Sequence, residues 1–286
     1  MKDIKTALIL EGGAMRGIYT AGVLDVLLEN NISVDCVVGV SAGAIHGCSY
    51  VSEQYERSIK YYQECRKDYR FMSFKSFFKT GNVVDTNYCY DEIPNKIYPF
   101  DHKSFEKSKT KFYVTVTNLE TGEAEYINLK SLKGEKIDYL RASASMPVVS
   151  QIVEIDGNKY LDGAIADSIP IKKFLEMGYD RCIVVKTKPN GYKKKKEKIL
   201  AISKRLYKDY PKFIKKINNR HNMYNETIDY IEELEKENKI IVIEPSTNLK
   251  ISRMEKKMET IIAMYELGKK DTNTKLKEIK KFFNIK

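Results

Sequence analysis

The chain has 286 residues, of which 42% are hydrophobic and 31% are charged. This composition allows a sizeable core and excludes a wholly disordered chain, and the length suits one large α/β domain or two smaller ones. No apolar run approaches the roughly 20 residues that a membrane-spanning helix needs. The apolar stretch Ala7 to Leu10 is too short for the core of a signal peptide, so we expect a cytoplasmic protein.

The net charge of +11 is concentrated in the last third of the chain. Residues 1–180 carry 22 basic and 25 acidic side chains, whereas residues 181–286 carry 28 and 14. Two interpretations are open: lysines that solvate helix faces, or a basic face that meets an anionic membrane. Nucleic acid is not expected as a partner, because no binding motif is recognisable and the lysines are not interleaved with aromatic residues.

The cysteines and histidines do not have the spacing of a metal site. The five cysteines are widely spread and form no CxxC pattern, so we expect them to be reduced and buried. The histidines His46, His102 and His221 do not combine with one another or with the cysteines in the spacing of a metal-ligand set. No metal and no other cofactor is therefore expected.

The first half of the chain alternates apolar strands with helical spacing. Strands are predicted at Thr6 to Leu10 and Cys36 to Val40, with a helix at Gly17 to Glu29 between them. Continuous apolar strands joined through helices are typical of a parallel sheet covered on both faces. We therefore predict a three-layer α/β/α fold with a mostly parallel central sheet. Further strands are predicted at Lys111 to Thr117, Arg181 to Lys186 and Lys239 to Ile243, with a hairpin at Gln151 to Leu161 that turns at Asp156-Gly157.

Two segments interrupt this alternation. Tyr50 to Phe100 holds 13 of the 31 aromatic residues, which indicates either a helical cap over the core or the apolar wall of a pocket. Gly191 to Asn238 is lysine-rich and helical in pattern, and is predicted to be an excursion outside the sheet. We expect a single domain over residues 1–286, with a core at 6–190, the helical excursion at 191–238, and a closing strand and helices at 239–286.

A serine lies in a GxSxG pattern directly after a predicted strand. The segment is Gly39-Val40-Ser41-Ala42-Gly43, and a helical pattern follows it. Between a strand and a helix, this pattern predicts a sharp turn that exposes the serine hydroxyl at the end of the sheet and at a helix N-terminus. Ser41 is therefore the candidate nucleophile. The alternative is a glycine-rich turn that contains serine by chance.

A glycine-rich loop, Glu11 to Gly17, also lies between a strand and a helix. A dinucleotide-binding loop would need glycine where Ala14 stands, and no acidic residue follows the second strand as such a site requires. Small residues let backbone amides approach a carbonyl oxygen, and Arg16 adds positive charge. We interpret Gly12, Gly13, Ala14 and Arg16 as an oxyanion hole, with a purely structural turn as the alternative.

A serine nucleophile needs a general base, and histidine is the usual one. His46 lies five residues after Ser41 on the same predicted helix, so it points away from the serine hydroxyl. His102 and His221 lie in polar segments and are expected to face water. Histidine is therefore a poor candidate for the base, although His221 could complete a triad.

Asp162 is the alternative base. It ends a predicted strand and is followed by the small residues Gly163-Ala164, so its carboxylate can leave the strand toward a site. Burial beside the serine should then raise its pKa. The other interpretation is an ordinary loop or helix-cap carboxylate.

These motifs together resemble those of the patatin-like phospholipases. The similarity rests on the Glu11 to Gly17 loop, the Gly39 to Gly43 turn and Asp162-Gly163-Ala164, in that order, and extends over about residues 6–190. It includes the small-residue loop Arg141 to Pro147. Weaker similarity returns at Ile241 to Gly268.

The resemblance implies a lipid acyl hydrolase with a Ser-Asp dyad and without histidine or metal. Carried over by position, Ser41 is the nucleophile, Asp162 is the general base, and the Gly12 to Arg16 loop stabilises the oxyanion. The implied motif positions are Gly17, Gly39, Gly43, Gly163 and Ala164. The departures from the family pattern are Glu11 for aspartate, Ala14 for a third glycine and Ala164 for glycine.

The expected function is hydrolysis of a carboxylic ester in a lipid or phospholipid, by a phospholipase A or lysophospholipase reaction. Two alternatives stay open. One is an α/β-hydrolase esterase with the triad Ser41, Asp162 and His221. The other is a non-catalytic, peripheral membrane-binding protein that uses its aromatic segment and its basic C-terminal third, at the inner face of the membrane.

Overall fold

The computed structural model describes residues 4–196 and 199–284. Within these residues an eight-stranded sheet runs through the centre in the hydrogen-bonded order β5-β6-β3-β2-β1-β7-β8, with β4 also paired to β3. The strands are β1 (Thr6–Leu10), β2 (Cys36–Val40), β3 (Lys111–Asn118), β4 (Ala124–Asn128), β5 (Val153–Ile155), β6 (Asn158–Asp162), β7 (Arg181–Val185) and β8 (Ile240–Ile243). The pairs among β3, β2, β1, β7 and β8 are parallel, and those involving β4, β5 and β6 are antiparallel.

Helices follow most of the parallel strands. They are α1 (Ile18–Glu29), α2 (Ala42–Val51), α3 (Arg57–Cys65), α4 (Phe74–Thr80), α5 (His102–Lys107), α6 (Ile137–Ser143), α7 (Ile171–Glu176), α8 (Leu200–Leu206), α9 (Pro211–Lys236) and α10 (Met258–Phe282). Short 3-10 turns lie at Ala14–Gly17, Gly134–Lys136 and Gly163–Ile165, and a π-helical segment lies at Tyr88–Ile97.

Side-chain alternation along the strands divides the core between the two faces of the sheet. On β1, Leu8 and Leu10 join one buried cluster, and Ala7 and Ile9 join the other. The first cluster is covered by α1, α2 and α10, and the second by α7 and α9. A parallel sheet covered on both faces needs apolar residues in both directions, which explains the continuous apolar runs in the sequence. The predicted α/β fold with a mostly parallel central sheet is confirmed.

The structure differs from the sequence predictions at several elements. Strand β4 was not predicted, because it is a half-buried edge strand without a continuous apolar run. The excursion at 191–238 is helical only in α8 and α9; residues 192–196 have no regular structure, and residues 197 and 198 lie outside the described residues. The hairpin forms as β5 and β6, with Asp156-Gly157 at its turn.

The closing helix α10 crosses α1 at very short range. A Cβ atom on Gly22 would lie 2.1 Å from the carbonyl oxygen of Tyr265, and one on Gly268 would lie 2.2 Å from that of Tyr19. Each tyrosine also donates to an aspartate on the other helix, Tyr19 to Asp271 and Tyr265 to Asp25. These two close glycine approaches and two tyrosine hydrogen bonds hold α10 against α1, the helix that follows the glycine-rich loop.

The aromatic segment between Tyr50 and Phe100 folds as α3, α4 and the π-helical segment. Its buried rings, among them Tyr61, Tyr62 and Phe71, belong to the core cluster that lies on the α2 side of the sheet. The same rings line a cavity, so the segment is both a cap over the core and a pocket wall.

The cysteines lie within the described residues and are free. Four are buried as expected, but Cys89, near the start of the π-helical segment, is only half-buried and lines the cavity. Among the described residues, we find no helix with both the length and the hydrophobicity that crossing a bilayer requires.

Candidate active site

Ser41 lies on a strained turn between β2 and α2. Its backbone has φ 55° and ψ −123°, a conformation that non-glycine residues rarely adopt. The flanking glycines are needed for packing: a Cβ atom on Gly39 would lie 2.4 Å from the backbone nitrogen of Ala44, and one on Gly43 would lie 2.5 Å from the carbonyl oxygen of Leu10. The GxSxG pattern therefore forms the strand-to-helix turn that its spacing predicts.

A hydroxyl group holds this turn in place. The amide of Ser41 donates to Oγ of Ser143 at 2.8 Å, and that hydroxyl donates to the carbonyl oxygen of Thr115 at 2.7 Å. Ser143 carries no recognisable signal of its own in the sequence, although it lies in the small-residue segment Arg141 to Pro147 that the family resemblance includes.

Strand β3 explains why residues 121 positions apart meet. In the register of the sheet, Thr115 lies opposite Val40 at the end of β2, and the next residue, Val116, lies opposite Asp162 at the end of β6. Because β4 occupies the other edge of β3 at both positions, β2 and β6 meet end to end along one edge. The Ser41 side chain consequently lies beside the Asp162 carboxylate: both line the same pocket, and Ser41 is among the groups that act on the pKa of Asp162.

Asp162 is buried and held by the turn that follows it. Its Oδ1 accepts a hydrogen bond from the amide of Ala164 at 2.8 Å. A Cβ atom on Gly163 would lie 2.2 Å from the carbonyl oxygen of Thr115, so only glycine lets the chain pass there. Burial raises the pKa of Asp162, against the opposing influence of Arg220 and the hydrogen bonds from Ala164 and Ser41. The carboxylate is therefore a stronger base than an exposed aspartate.

The glycine-rich loop lies directly against the serine. A Cβ atom on Gly12 would lie 2.9 Å from Cβ of Ser41, and Ala14 has the left-handed φ of 48°. Among the described residues, the amides of Gly12, Gly13 and Ala14 find no hydrogen-bond acceptor. A Cβ atom on Gly17, at the end of the loop, would lie 2.5 Å from that of Ala42. The loop thus offers backbone donors beside the hydroxyl, as an oxyanion hole requires.

Glu11 anchors the beginning of that loop. Its carboxylate accepts hydrogen bonds from the amide and hydroxyl of Thr187 and, at 2.8 Å, from the hydroxyl of Tyr224 on α9. Glu11, which departs from the family pattern, is therefore a buried residue whose hydrogen bonds connect the glycine-rich loop to the segment after β7 and to α9. No pattern in the sequence pointed to Tyr224.

Ser41 separates two pockets of different character. On one side is an apolar cavity of about 290 Å³, lined by α2, the aromatic segment and α6. On the other side is a polar pocket of about 170 Å³, lined by Asp162, the glycine-rich loop, Arg16 and residues of α9. Ala14, Ser41, Met146 and Arg253 line both.

The histidines lie elsewhere. His46 is buried in α2 with Nδ1 at 2.9 Å from Oγ of Ser58, and burial lowers its pKa to about 3, so it is a neutral core residue. His102 and His221, which were expected to face water, are half-buried and only partly exposed. Among the described residues, Nδ1 of each is buried without a hydrogen-bond partner, and the His102 ring packs against Phe100. Among the described residues that line the polar pocket with Ser41 and Asp162, there is no histidine.

No group of three or more histidine, cysteine, aspartate or glutamate side chains within residues 4–196 and 199–284 is arranged to hold a metal ion.

Residues 8–175 match the sequence profile of the patatin-like phospholipases, which covers more than half of the chain and includes all three motifs described above. The chain belongs to the patatin-like phospholipase family. Residues 210–284 match a second profile, a domain of unknown function (DUF6363). This second match begins near the start of α9 and runs to the end of α10.

Curated relatives share the family region. The chain is 28% identical over 192 residues to the uncharacterized protein YjjU of Escherichia coli K12, covering 65% of this chain and 53% of that protein. It is 29% identical over 183 residues to the lysophospholipase nte1 of Emericella nidulans, covering 60% of this chain and 11% of that protein. The chain therefore spans about half of the first relative and a small part of the second.

A crystal structure of VipD from Legionella pneumophila aligns with 96% of this chain and 67% of its own, at 13% identity and a TM-score of 0.47.

Proposed function

We propose that this family member is a serine lipid acyl hydrolase of the phospholipase A or lysophospholipase type, with Ser41 as nucleophile and Asp162 as general base. The proposal rests on one observation: the Ser41 side chain lies beside a buried carboxylate and beside three amides that no described residue engages. The similarity to the lysophospholipase nte1 of Emericella nidulans supports the same class of reaction.

In the proposed reaction, Asp162 accepts the Ser41 proton as Oγ attacks the ester carbonyl. The amides of Gly12, Gly13 and Ala14 stabilise the oxyanion, and Asp162 returns the proton to the leaving alcohol as the acyl-enzyme forms. Water, deprotonated by Asp162, then attacks the acyl-enzyme and releases the fatty acid and the free serine. Removing one oxyanion donor typically lowers the rate about 100- to 1,000-fold, which sets the scale for damage to this loop.

The two pockets suit the two halves of such a substrate. The apolar cavity of about 290 Å³ can accept an acyl chain, since aromatic and aliphatic side chains surround it. The polar pocket lies on the opposite side of Ser41 and can accept the leaving group. The ester carbonyl would then lie between them, over the hydroxyl.

The deciding experiment labels the full chain with a fluorophosphonate probe and locates the modified residue by mass spectrometry. We expect the label on Ser41, and no label in Ser41→Ala. Turnover of a chromogenic acyl ester should also be lost in Asp162→Asn and kept in His221→Ala. Normal turnover in Asp162→Asn together with loss in His221→Ala would instead favour the triad with His221.

We also propose that the protein acts as a single domain that docks on an anionic bilayer from the cytoplasmic side. Two short helices carry exposed apolar side chains: Phe74 and Phe78 on α4 are 60% and 83% exposed, and Ile202 and Leu206 on α8 are 54% and 57% exposed. Exposed cations flank them in the sequence, namely Lys75, Lys79, Lys204 and Arg205. Apolar and basic side chains together fit an anionic lipid surface.

The position of these two helices supports docking near the site. The chain after α4 pairs with the loop after α6, through the amide of Val83 and the carbonyl of Val149 at 3.0 Å. Tyr207, at the end of α8, accepts a hydrogen bond from the amide of Val148 at 3.0 Å. Both helices therefore border the loop whose Met146 lines both pockets.

Co-sedimentation with vesicles tests this docking. Binding to vesicles that contain anionic lipid should weaken as salt rises, since each lysine near the surface is worth roughly 1 kcal/mol and is screened. Phe78→Ser should weaken it further, whereas Ile4→Ser is the control, because Ile4 is 48% exposed and precedes β1 at the other end of the sheet. Vesicle binding that does not change with salt, with the content of anionic lipid or in Phe78→Ser would contradict docking. Vesicle binding without probe labelling or turnover would favour the non-catalytic alternative.

A further inference from the structure

The polar pocket beside Ser41 concentrates positive charge. Five cationic side chains line it: Arg16, Lys188, Lys194, Arg220 and Arg253. They come from four separate parts of the chain: the glycine-rich loop, the segment after β7, helix α9, and the loop before α10. The fold therefore gathers these charges, and no single run of basic residues creates them.

Three of these cations repel one another. Burial lowers the pKa of Arg16, and the neighbouring Arg253 lowers it further, although Glu11 opposes both. Burial, Arg16 and Arg253 likewise lower the pKa of Lys188. Within the described residues, Nε of Arg16 is buried without a hydrogen-bond partner. Positive charges that are partly removed from water and close together are stabilised when an anion binds between them, and a free N–H group such as Nε of Arg16 can donate to that anion.

The two carboxylates of the pocket are already engaged. Glu11 accepts hydrogen bonds from Thr187 and Tyr224. Asp162 accepts one from the amide of Ala164 and lies beside the Ser41 side chain. Among the described residues that line the pocket, the cations Arg16, Lys188 and Arg253 outnumber the one carboxylate, Glu11, that opposes their mutual repulsion, so this part of the pocket has an excess of positive charge.

The aromatic rings of the pocket are engaged as well. The ammonium of Lys188 lies 4.7 Å from the ring centre of Tyr192, and that of Lys194 lies 4.9 Å from the ring centre of Tyr224. A choline group is commonly held by such ring faces. Here it would have to displace a lysine, and it would add a positive charge to a pocket that already has an excess.

We propose that this pocket is an anion subsite that takes the phosphate of a lipid headgroup and that favours anionic over choline headgroups. This inference rests on the proposed hydrolase function. Because Ser41 lies between the two pockets, a phosphate in the polar pocket lies on the other side of the ester from an acyl chain in the apolar cavity. Arg16 and Arg253 supply planar guanidinium groups, which suit phosphate oxygens, and Lys188 supplies a point charge.

The first arm of the test measures free phosphate, without any turnover. Thermal unfolding of the full chain is followed with inorganic phosphate and with glycerol 3-phosphate, against chloride at equal ionic strength. Both should raise the Tm of the wild type, because they bind the folded state only. In Lys188→Met and Arg253→Met this shift should fall by at least half. Lys173→Met is the matched control, since that lysine is exposed on α7, pairs with Glu176 and does not line the pocket.

The second arm measures the headgroup in a substrate. Three lipids with the same single acyl chain are compared: lysophosphatidylglycerol, lysophosphatidylcholine and monoacylglycerol. The wild type should have its highest kcat/KM for lysophosphatidylglycerol. Its kcat/KM for lysophosphatidylcholine should be about tenfold lower, since a hydrogen bond to a charged group is generally worth at least that factor. Lys188→Met and Arg253→Met should reduce the preference for phosphate over monoacylglycerol, mainly through KM.

The outcomes separate this inference from the function on which it rests. One outcome overturns the anion subsite and leaves the hydrolase intact. In it the protein turns over the ester, phosphate does not raise the Tm, and the ratio of kcat/KM between headgroups is the same in both variants as in the wild type. A phosphate-dependent rise that the variants lose, without turnover of any ester, overturns the hydrolase and supports the anion site. An equal rise in the wild type, both variants and Lys173→Met reflects general salt binding and overturns the subsite.

Discussion

The amide of Ser41 donates a hydrogen bond to the hydroxyl of Ser143 at 2.8 Å. The same hydroxyl donates to the carbonyl oxygen of Thr115, on the strand along which β2 and β6 meet. Ser143 is fully buried, so water cannot replace it in either contact. One side chain therefore fixes the strained turn that presents the candidate nucleophile.

Ser143→Ala should lower kcat for ester hydrolysis about 10- to 100-fold, because a lost buried hydrogen bond costs about 1–3 kcal/mol and here releases the turn itself. Steady-state turnover of a neutral chromogenic ester measures the effect. Ser145→Ala is the matched control: its hydroxyl contacts the carbonyl of Arg141 in the same loop, so we expect less than a threefold change. Equal losses in the two variants would show that loop damage, and not the contact with Ser41, is responsible.

The pKa of Asp162 predicts the acid limb of the pH profile. The carboxylate must be ionised to accept the serine proton, so kcat/KM should fall as pH drops through its pKa. Because burial raises that pKa, the fall should begin at higher pH than for an exposed aspartate. Arg220 opposes this shift, so Arg220→Gln should move the limb to still higher pH. Lys216→Gln, on the same helix and paired with Glu123, should leave the limb unchanged.

Asp162→Asn should abolish turnover without destabilising the fold. A carboxyl group whose pKa is raised on folding binds its proton more tightly in the native state. The free energy of unfolding therefore decreases as pH rises from the unfolded-state pKa to the folded-state pKa, and the loss persists at neutral pH. The amide removes this cost and keeps an oxygen for the amide of Ala164. In urea unfolding at pH 7, the free energy of unfolding of Asp162→Asn should be at least that of the wild type. A marked decrease would mean that the fold requires the carboxylate.

Much of the fold was predictable because its signals are local. The strands β1, β2, β7 and β8 are continuous apolar runs, and the turns around Ser41 and Asp162 are marked by small residues whose Cβ atoms would collide with backbone. The pairing of β2 and β6 along β3 is different. It depends on the register of three strands, which no local pattern encodes.

The missed residues are those whose role is tertiary. Ser143 looks like any small residue until β3 supplies Thr115. Lys188 and Arg253 are two among many basic residues, and they become a cluster only when the segments after β7 and before α10 converge on the pocket. His102 was expected in water because its neighbours in sequence are polar, but its ring packs on Phe100 beside the cavity.

Gly43 and Gly47 allow a matched test of close packing in α2. A Cβ atom on Gly43 would lie 2.5 Å from the carbonyl oxygen of Leu10, which is backbone and cannot move away, whereas one on Gly47 would meet side-chain carbons at 3.0 Å or more. Gly43→Ala should therefore shift the turn and lower kcat at least about 100-fold, the scale of a lost oxyanion donor. Gly47→Ala should keep turnover within about tenfold, since side chains can adjust. Similar turnover in both would contradict the packing argument.

Tyr224→Phe tests the anchor of the glycine-rich loop. The hydroxyl of Tyr224 donates to Oε1 of Glu11 at 2.8 Å, and Glu11 is only 4% exposed, so its carboxylate loses a partner that water cannot easily replace. We expect the free energy of unfolding to fall by about 1–3 kcal/mol. Tyr230→Phe, on the same helix and half-buried, should change it by less than about 0.5 kcal/mol. Both are measured by urea unfolding; equal values would mean that the bonds from Thr187 alone hold Glu11, and that α9 contributes packing but no anchor to the loop.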